Sequence, residues 1–244
     1  MKNRALVVAA LSVCIGAVEL RPAQSPNRVR LVFDQAHGEQ PPPGQLDPIA
    51  RKLGLEVHAS AGPITAAALE GARILYLRAP SMEFTGAEAE AIVAFVKSGG
   101  SLLLVLDEER RQSLAKTGVN NLIGPFGMRL TPDTEYLHNT GAVAKAGEIN
   151  KADREVPFSG GRAVEGGTPF AFQLDKDGRP AQPFGAFTRL DSGGRVIVLG
   201  EGMASLFLGV PTAVRLSGSV DNLTPYWGKD SAIFMEEVLT WLAK

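Results

Sequence analysis

Between residues 29 and 106, short apolar runs alternate with stretches whose apolar residues fall on one helical face. "VRLVF", "LEVHAS", "RILYLRA" and "SLLLVL" are short and rich in branched apolar residues, and each is bounded by turn formers, so they predict four strands. After the Pro-rich "QPPPGQ", Asp47 is placed to cap a helix with Pro48 in its first turn and Gly54 at its end. Thr65 is expected to open a short helix, "AAALEG". "TGAEAEAIVAFVKSGG" begins with a capping box, Thr85 and Glu88, sets Ile92, Val93, Phe95 and Val96 on one side, and stops at Gly99-Gly100. Wholly apolar strands joined by such helices need cover on both faces, so the fold class is α/β with a mostly parallel sheet flanked by helices.

From about residue 112 to 182 the periodicity dissolves. The reading there is a long irregular insertion over the rim of the sheet, with a helix near "SLAKTGVNNLIGPFG". A hairpin before the last core strand turns at Asp175 to Gly178. "GRVIVLG" then returns to the main sheet, and a final helix capped by Asp230 docks through Phe234, Val238, Trp241 and Leu242.

The N-terminus follows another logic. Lys2 and Arg4 precede an unbroken apolar run from Ala5 to Val18, the pattern of a secretory signal peptide over residues 1–17, cleaved after Ala17. The run falls short of the roughly 18 residues of a membrane span, so no stable span is expected after cleavage. The remainder, residues 28–244, reads as a single domain, and the expected location is periplasmic or extracellular. Cys14 is the sole cysteine, so the mature chain has no disulfide, thiolate metal site or cysteine nucleophile. Removing residues 1–17 leaves 23 basic against 26 acidic residues, a net charge of −3 with no polybasic run, which argues against a nucleic-acid partner.

The succession "VRLVFDQAHGE", "ALEGARILYLRAP", "TGAEAEAIVAFVKSGGSLLLVLDEE", "GRVIVLGEGMASLF" and "AIFMEEVLTWL" resembles the flavodoxin-like, class I glutamine amidotransferase-like fold. Within that fold it is similar to the DUF4350 and gliding-motility/intraflagellar-transport (GIFT) group. The resemblance covers roughly residues 28–100 and 194–244, and its most telling parts are "DQAHG" and "FVKSGGSLLLV". Amidotransferases of this fold carry a nucleophilic cysteine on a strand-to-helix turn. Nothing here fills that position, so the resemblance implies a ligand-binding or assembly role without amidotransferase chemistry, directed toward carbohydrate as suggested for such domains.

In parallel α/β sheets ligands bind beyond the carboxyl ends of the strands. Four segments are expected to converge there, bringing Asp34, His37 and Glu39 after the first strand, Arg78 after the third, Asp107 after the fourth and Glu201 after the late strand. Such a group can bind a sugar by hydrogen bonds, or hold a divalent ion through His37, Asp34 and a distant carboxylate. It can equally be a satisfied polar rim. D-x-x-H-x-E matches no specific metal motif, so no metal and no cofactor is assigned. Tyr226 and Trp227 form a second candidate ligand surface, since exposed aromatics stack on sugar rings.

The expected function is a non-catalytic secreted or periplasmic module that binds a carbohydrate or small-molecule ligand. One alternative is a hydrolase of a carbohydrate or related ester, using His37 as base with Asp34 or Glu201 orienting it. Against it, no G-x-S-x-G elbow supplies a nucleophile, and Ser81 in "APSME" lacks the flanking glycines of such a turn. The other alternative is a structural partner of an envelope complex, marked by an exposed apolar patch such as "LIGPFGMRL".

Overall fold

The computed structural model describes residues 29–39, 46–134, 141–156, 158, 160–202 and 230–244. In chain order the strands are β1 (Val29–Asp34), β2 (Leu55–Ser60), β3 (Ala72–Arg78), β4 (Ser101–Val105), β5 (Met128–Asp133), β6 (Ala142–Ala144), β7 (Arg154–Val156), β8 (Arg162–Gly166), β9 (Thr168–Leu174), β10 (Pro180–Arg189) and β11 (Arg195–Leu199). The helices are α1 (Leu46–Lys52), α2 (Gly86–Lys97), α3 (Leu114–Thr117), α4 (Val119–Ile123) and α5 (Ser231–Leu242). Nine strands form one mixed sheet in the order β2-β1-β3-β4-β11-β10-β9-β6-β7. The first five of these run parallel, and β10, β9, β6 and β7 continue the sheet antiparallel. β5 and β8 pair with each other apart from it.

The strict alternation of the parallel strands builds two cores. Leu31, Phe33, Ile74, Tyr76, Leu103, Val105, Ile197 and Leu199 point to one face, where α1 and α5 cover them. Val32, Leu75, Leu77, Leu102, Leu104, Val196 and Val198 point to the other, beneath α2 and α4. Each such side chain contributes about 1.5–3 kcal/mol when fully buried, so neither face can be left open. α5 supplies Phe234, Val238, Trp241 and Leu242, the face that its spacing predicts. α2 starts with the expected capping box, with both the Thr85 and the Glu88 bonds made.

The "FVKSGGSLLLV" joint has a steric basis. Gly99 takes φ +108°, and a Cβ on Gly100 would lie 2.4 Å from the Phe95 ring, which packs over that backbone. Only glycine lets the chain pass from α2 into β4 under its own aromatic lid.

Four expectations need correction. Residues 66–70 form turns rather than a helix: Thr65 Oγ1 accepts the Ala68 N–H at 3.1 Å, but the stretch is too short to propagate. Asp47 lies within the first turn of α1, not before it. Residues 112–182 are no structureless cover: they supply β5 to β9, of which β6, β7 and β9 widen the main sheet, and β6 and β7, with three residues each, are too short to show a period. "LIGPFGMRL" is no exposed patch either, since Leu122, Ile123, Phe126, Met128 and Leu130 are buried in the second core. The leader over residues 1–17 lies outside the described residues, and among the described residues no helix is long and apolar enough to cross a membrane.

Candidate functional site

The carboxyl ends of β1, β3, β4 and β11 meet along one rim, and the polar residues expected there are present but turned inward. Asp34, His37, Glu39, Arg78, Asp107 and Glu201 are all buried. They fall into two corners.

The first corner follows β1. His37 Nδ1 lies 2.7 Å from Asp34 Oδ2, and Nε2 lies 3.3 Å from Glu88 Oε1 at the start of α2. The imidazole stacks on Phe84, with ring centres 3.9 Å apart. Asp34 Oδ1 also accepts the Ala36 N–H, and Glu39 Oε2 accepts the His37 N–H at 2.9 Å. Glu88 ties three elements: it accepts from Thr85 and from the Ile64 N–H as well as facing His37. The turn closes because Gly38 takes φ +77° against β3's exit loop, where Ser81 and Met82 donate their N–H groups to the His37 carbonyl. A Cβ on Gly38 would lie 2.3 Å from Ser81 Oγ, which explains the glycine in "DQAHG".

Three carboxyl groups surround one imidazole, and their proton affinities record the imbalance. Burial opposes charge on His37, but the Asp34 hydrogen bond and the nearby carboxylates outweigh it and raise the pKa above 6.5. Burial, then Asp34, push the Glu39 carboxyl from 4.5 up to about 8. Glu88 goes the other way, to about 2, because the Thr85 and Ile64 bonds to its ionised form prevail over burial. Glu39 Oε1 is buried and, among the described residues, meets no N–H or O–H donor; its carboxyl faces that of Asp34.

The second corner follows β4, and its centre is Arg162, which motif reading missed because a lone arginine in an aperiodic stretch carries no signal. Its side chain is wholly buried on β8. It donates to the carbonyls of Asp107 at 2.7 Å and Gln112 at 2.7 Å, to that of Thr131 at 3.3 Å, and to Glu109 Oε2 at 2.8 Å. Asp107 pairs with Arg111 at 3.1 Å and accepts the Glu108 N–H, while burial pushes its pKa up. Gly202 passes so close that a Cβ there would be 2.6 Å from Asp107 Oδ2. Arg78 and Glu201 are buried on the neighbouring strand ends. Between the two corners Ala79 holds φ +53°, its N–H bonded to the Val105 carbonyl, a strained left-handed residue at the rim. Tyr226 and Trp227 lie outside the described residues.

The family model described as the IFT52 GIFT domain matches residues 30–156, just over half of the chain. The chain belongs to the IFT52 GIFT domain family. Intraflagellar transport protein 52 homologues of Mus musculus and Homo sapiens are 29% and 28% identical to it over 136 residues, half of this chain. That region is 30% and 29% of those proteins, so the chain spans under a third of the curated relatives it matches. The fold is that of the mmIFT52 N-terminal domain: TM-score 0.63 at 19% identity, covering 88% of this chain and 97% of that one. A GMP synthase component from Thermoplasma acidophilum shares the fold with TM-score 0.52 at 9% identity, covering 88% and 93%. The GIFT match continues through β5, β6 and β7, so much of the apparent insertion belongs to the family domain.

This membership overturns the secreted, periplasmic or extracellular assignment and the carbohydrate module built on it, because the GIFT relatives are intraflagellar transport proteins. The envelope partner falls with that location. The hydrolase alternative fails as well, and on geometry: both His37 nitrogens face carboxylates, and the Ser81 side chain points at the Gly38 carbonyl.

Proposed function

We propose that this chain is a protein-docking domain of the intraflagellar-transport 52 type, which holds partners rather than turning over a substrate. The observation that carries the reading is the GIFT family match across β1 to β7. The rim chemistry supports it: the buried polar groups bind strand ends and loops to one another. In this reading Asp34, His37 and Glu39 stiffen the first rim loop, and Arg78, Asp107 and Glu201 brace the ends of β3, β4 and β11. Met82, 52% exposed and anchored by its N–H to His37, is then a preformed apolar contact on a rigid corner. The broader kinship with class I glutamine amidotransferase-like folds is proposed at the level of architecture alone, supported by the Thermoplasma likeness.

The test is cross-linking mass spectrometry on the full chain in extracts of its own cells, beside a Met82→Glu variant. A protein partner at constant stoichiometry, cross-linked near the rim and released about tenfold more readily by the variant, is the expected result. A chain that stays monomeric in those extracts overturns the reading.

A further inference from the structure

We propose that the corner after β1 is a binding site for a divalent transition-metal ion of the zinc class, with Asp34, His37 and Glu39 as ligands and Glu88 orienting the histidine. A nitrogen and two carboxylate oxygens, one from each residue, lie within 4.8 Å of one another. The donor set selects the metal: an imidazole favours zinc, cobalt or nickel over calcium and magnesium, which prefer oxygen alone.

Two observations beyond the cluster point to a ligand. Glu39 is only 8% exposed, and among the described residues its Oε1 meets no N–H or O–H donor while its carboxyl faces that of Asp34, a buried pair of acceptors that a cation would bridge. His37 also has the arrangement of a metal-bound histidine: Nδ1 faces the cluster, while Nε2 is directed at Glu88, a carboxylate held by Thr85 and Ile64. With Nε2 carrying its proton toward Glu88, Nδ1 is left free to donate its lone pair.

The geometry admits an ion after small movements. Ligand atoms about 2.0–2.1 Å from a tetrahedral ion sit about 3.3 Å apart. The 2.7 Å separation of Asp34 and His37 opens by roughly half an ångström, and a rotation of the Glu39 carboxyl brings its free oxygen in. Stacking on Phe84 and the Gly38 turn hold the histidine in place meanwhile. The ion also supplies the positive charge that three carboxyls around one imidazole lack.

The probes are Co²⁺ and Zn²⁺, added to the tag-free full chain after stripping with chelator. One equivalent of Co²⁺ is expected to bind with visible d–d absorption, to be displaced by Zn²⁺ and to raise the unfolding midpoint. Glu39→Gln keeps the side-chain shape and is expected to lower affinity at least tenfold with unchanged circular dichroism. Glu88→Gln, which preserves the capping box, is expected to lower it about 10–100-fold. His58→Ala, on the exposed edge of β2, leaves binding intact. No stoichiometric uptake by wild type, or uptake that Glu39→Gln and His37→Ala leave unchanged, overturns the proposal.

Discussion

The two polar corners at the rim use similar residues and solve opposite problems. At β4 a buried arginine on β8 reaches Asp107, Gln112, Thr131 and Glu109, so backbone carbonyls and a carboxylate meet a permanent cation. At β1 three carboxyl groups meet a single histidine, and one buried oxygen, Glu39 Oε1, meets no N–H or O–H donor among the described residues. The β4 corner is a brace whose charges close within the chain. The β1 corner is short of positive charge and answers the deficit by holding a proton on Glu39. Burial alone therefore does not separate a structural polar cluster from a site; charge balance does.

Mutations can break this contrast. Arg162→Met removes the guanidinium donors from several buried acceptors at once, and a loss of about 4 kcal/mol is expected in denaturant unfolding, at any pH between about 5 and 9. A loss under about 1 kcal/mol would mean that the β4 corner is no brace. His37→Ala leaves Asp34 buried without its imidazole, and about 3 kcal/mol is expected in the same assay. That loss is greatest below pH 6.5. A charged His37 stabilises the fold fully below its ordinary pKa, and the contribution fades as pH rises through the raised value in the folded state. Gly38→Ala forces a side chain onto φ +77° and against Ser81, so about 2 kcal/mol is expected. Gly54→Ala, also at positive φ but with open space around it, is expected to cost about half of that, and equal losses would remove the role given to the Ser81 contact.

Much of the parallel half was legible in sequence. Apart from the edge strand β2 its strands are apolar on both faces, its main helix carries a capping box, and the Gly-Gly joint marks where α2 must stop. In the antiparallel half the β9–β10 hairpin was legible from its turn at Asp175 to Gly178, but β6 and β7 were hidden because three-residue strands show no period, and their place in the sheet is set by β9, which lies far along the chain. The polar residues of the rim could be named because each follows an apolar strand. Their inward direction could not be read, since it depends on Glu88, which belongs to the next helix but one, and on Arg162, 55 residues beyond Asp107. Carboxyl groups at a strand end look alike in sequence whether they face water or a buried histidine.

The charge imbalance at the β1 corner gives Glu39→Gln an effect of unusual sign. Unfolding midpoints of wild type and Glu39→Gln are compared from pH 4.5 to pH 8 in chelator. The folded chain keeps on Glu39 a proton that the unfolded chain releases above about pH 4.5, so wild-type stability from this group falls as pH rises toward 8. Glutamine has no such proton to lose. Glu39→Gln is expected to gain on wild type across this interval and to melt higher at pH 8, by a few degrees for an effect on the order of 1 kcal/mol. Parallel profiles, or a variant that melts lower at pH 8, would show instead that the β1 corner balances its own charge.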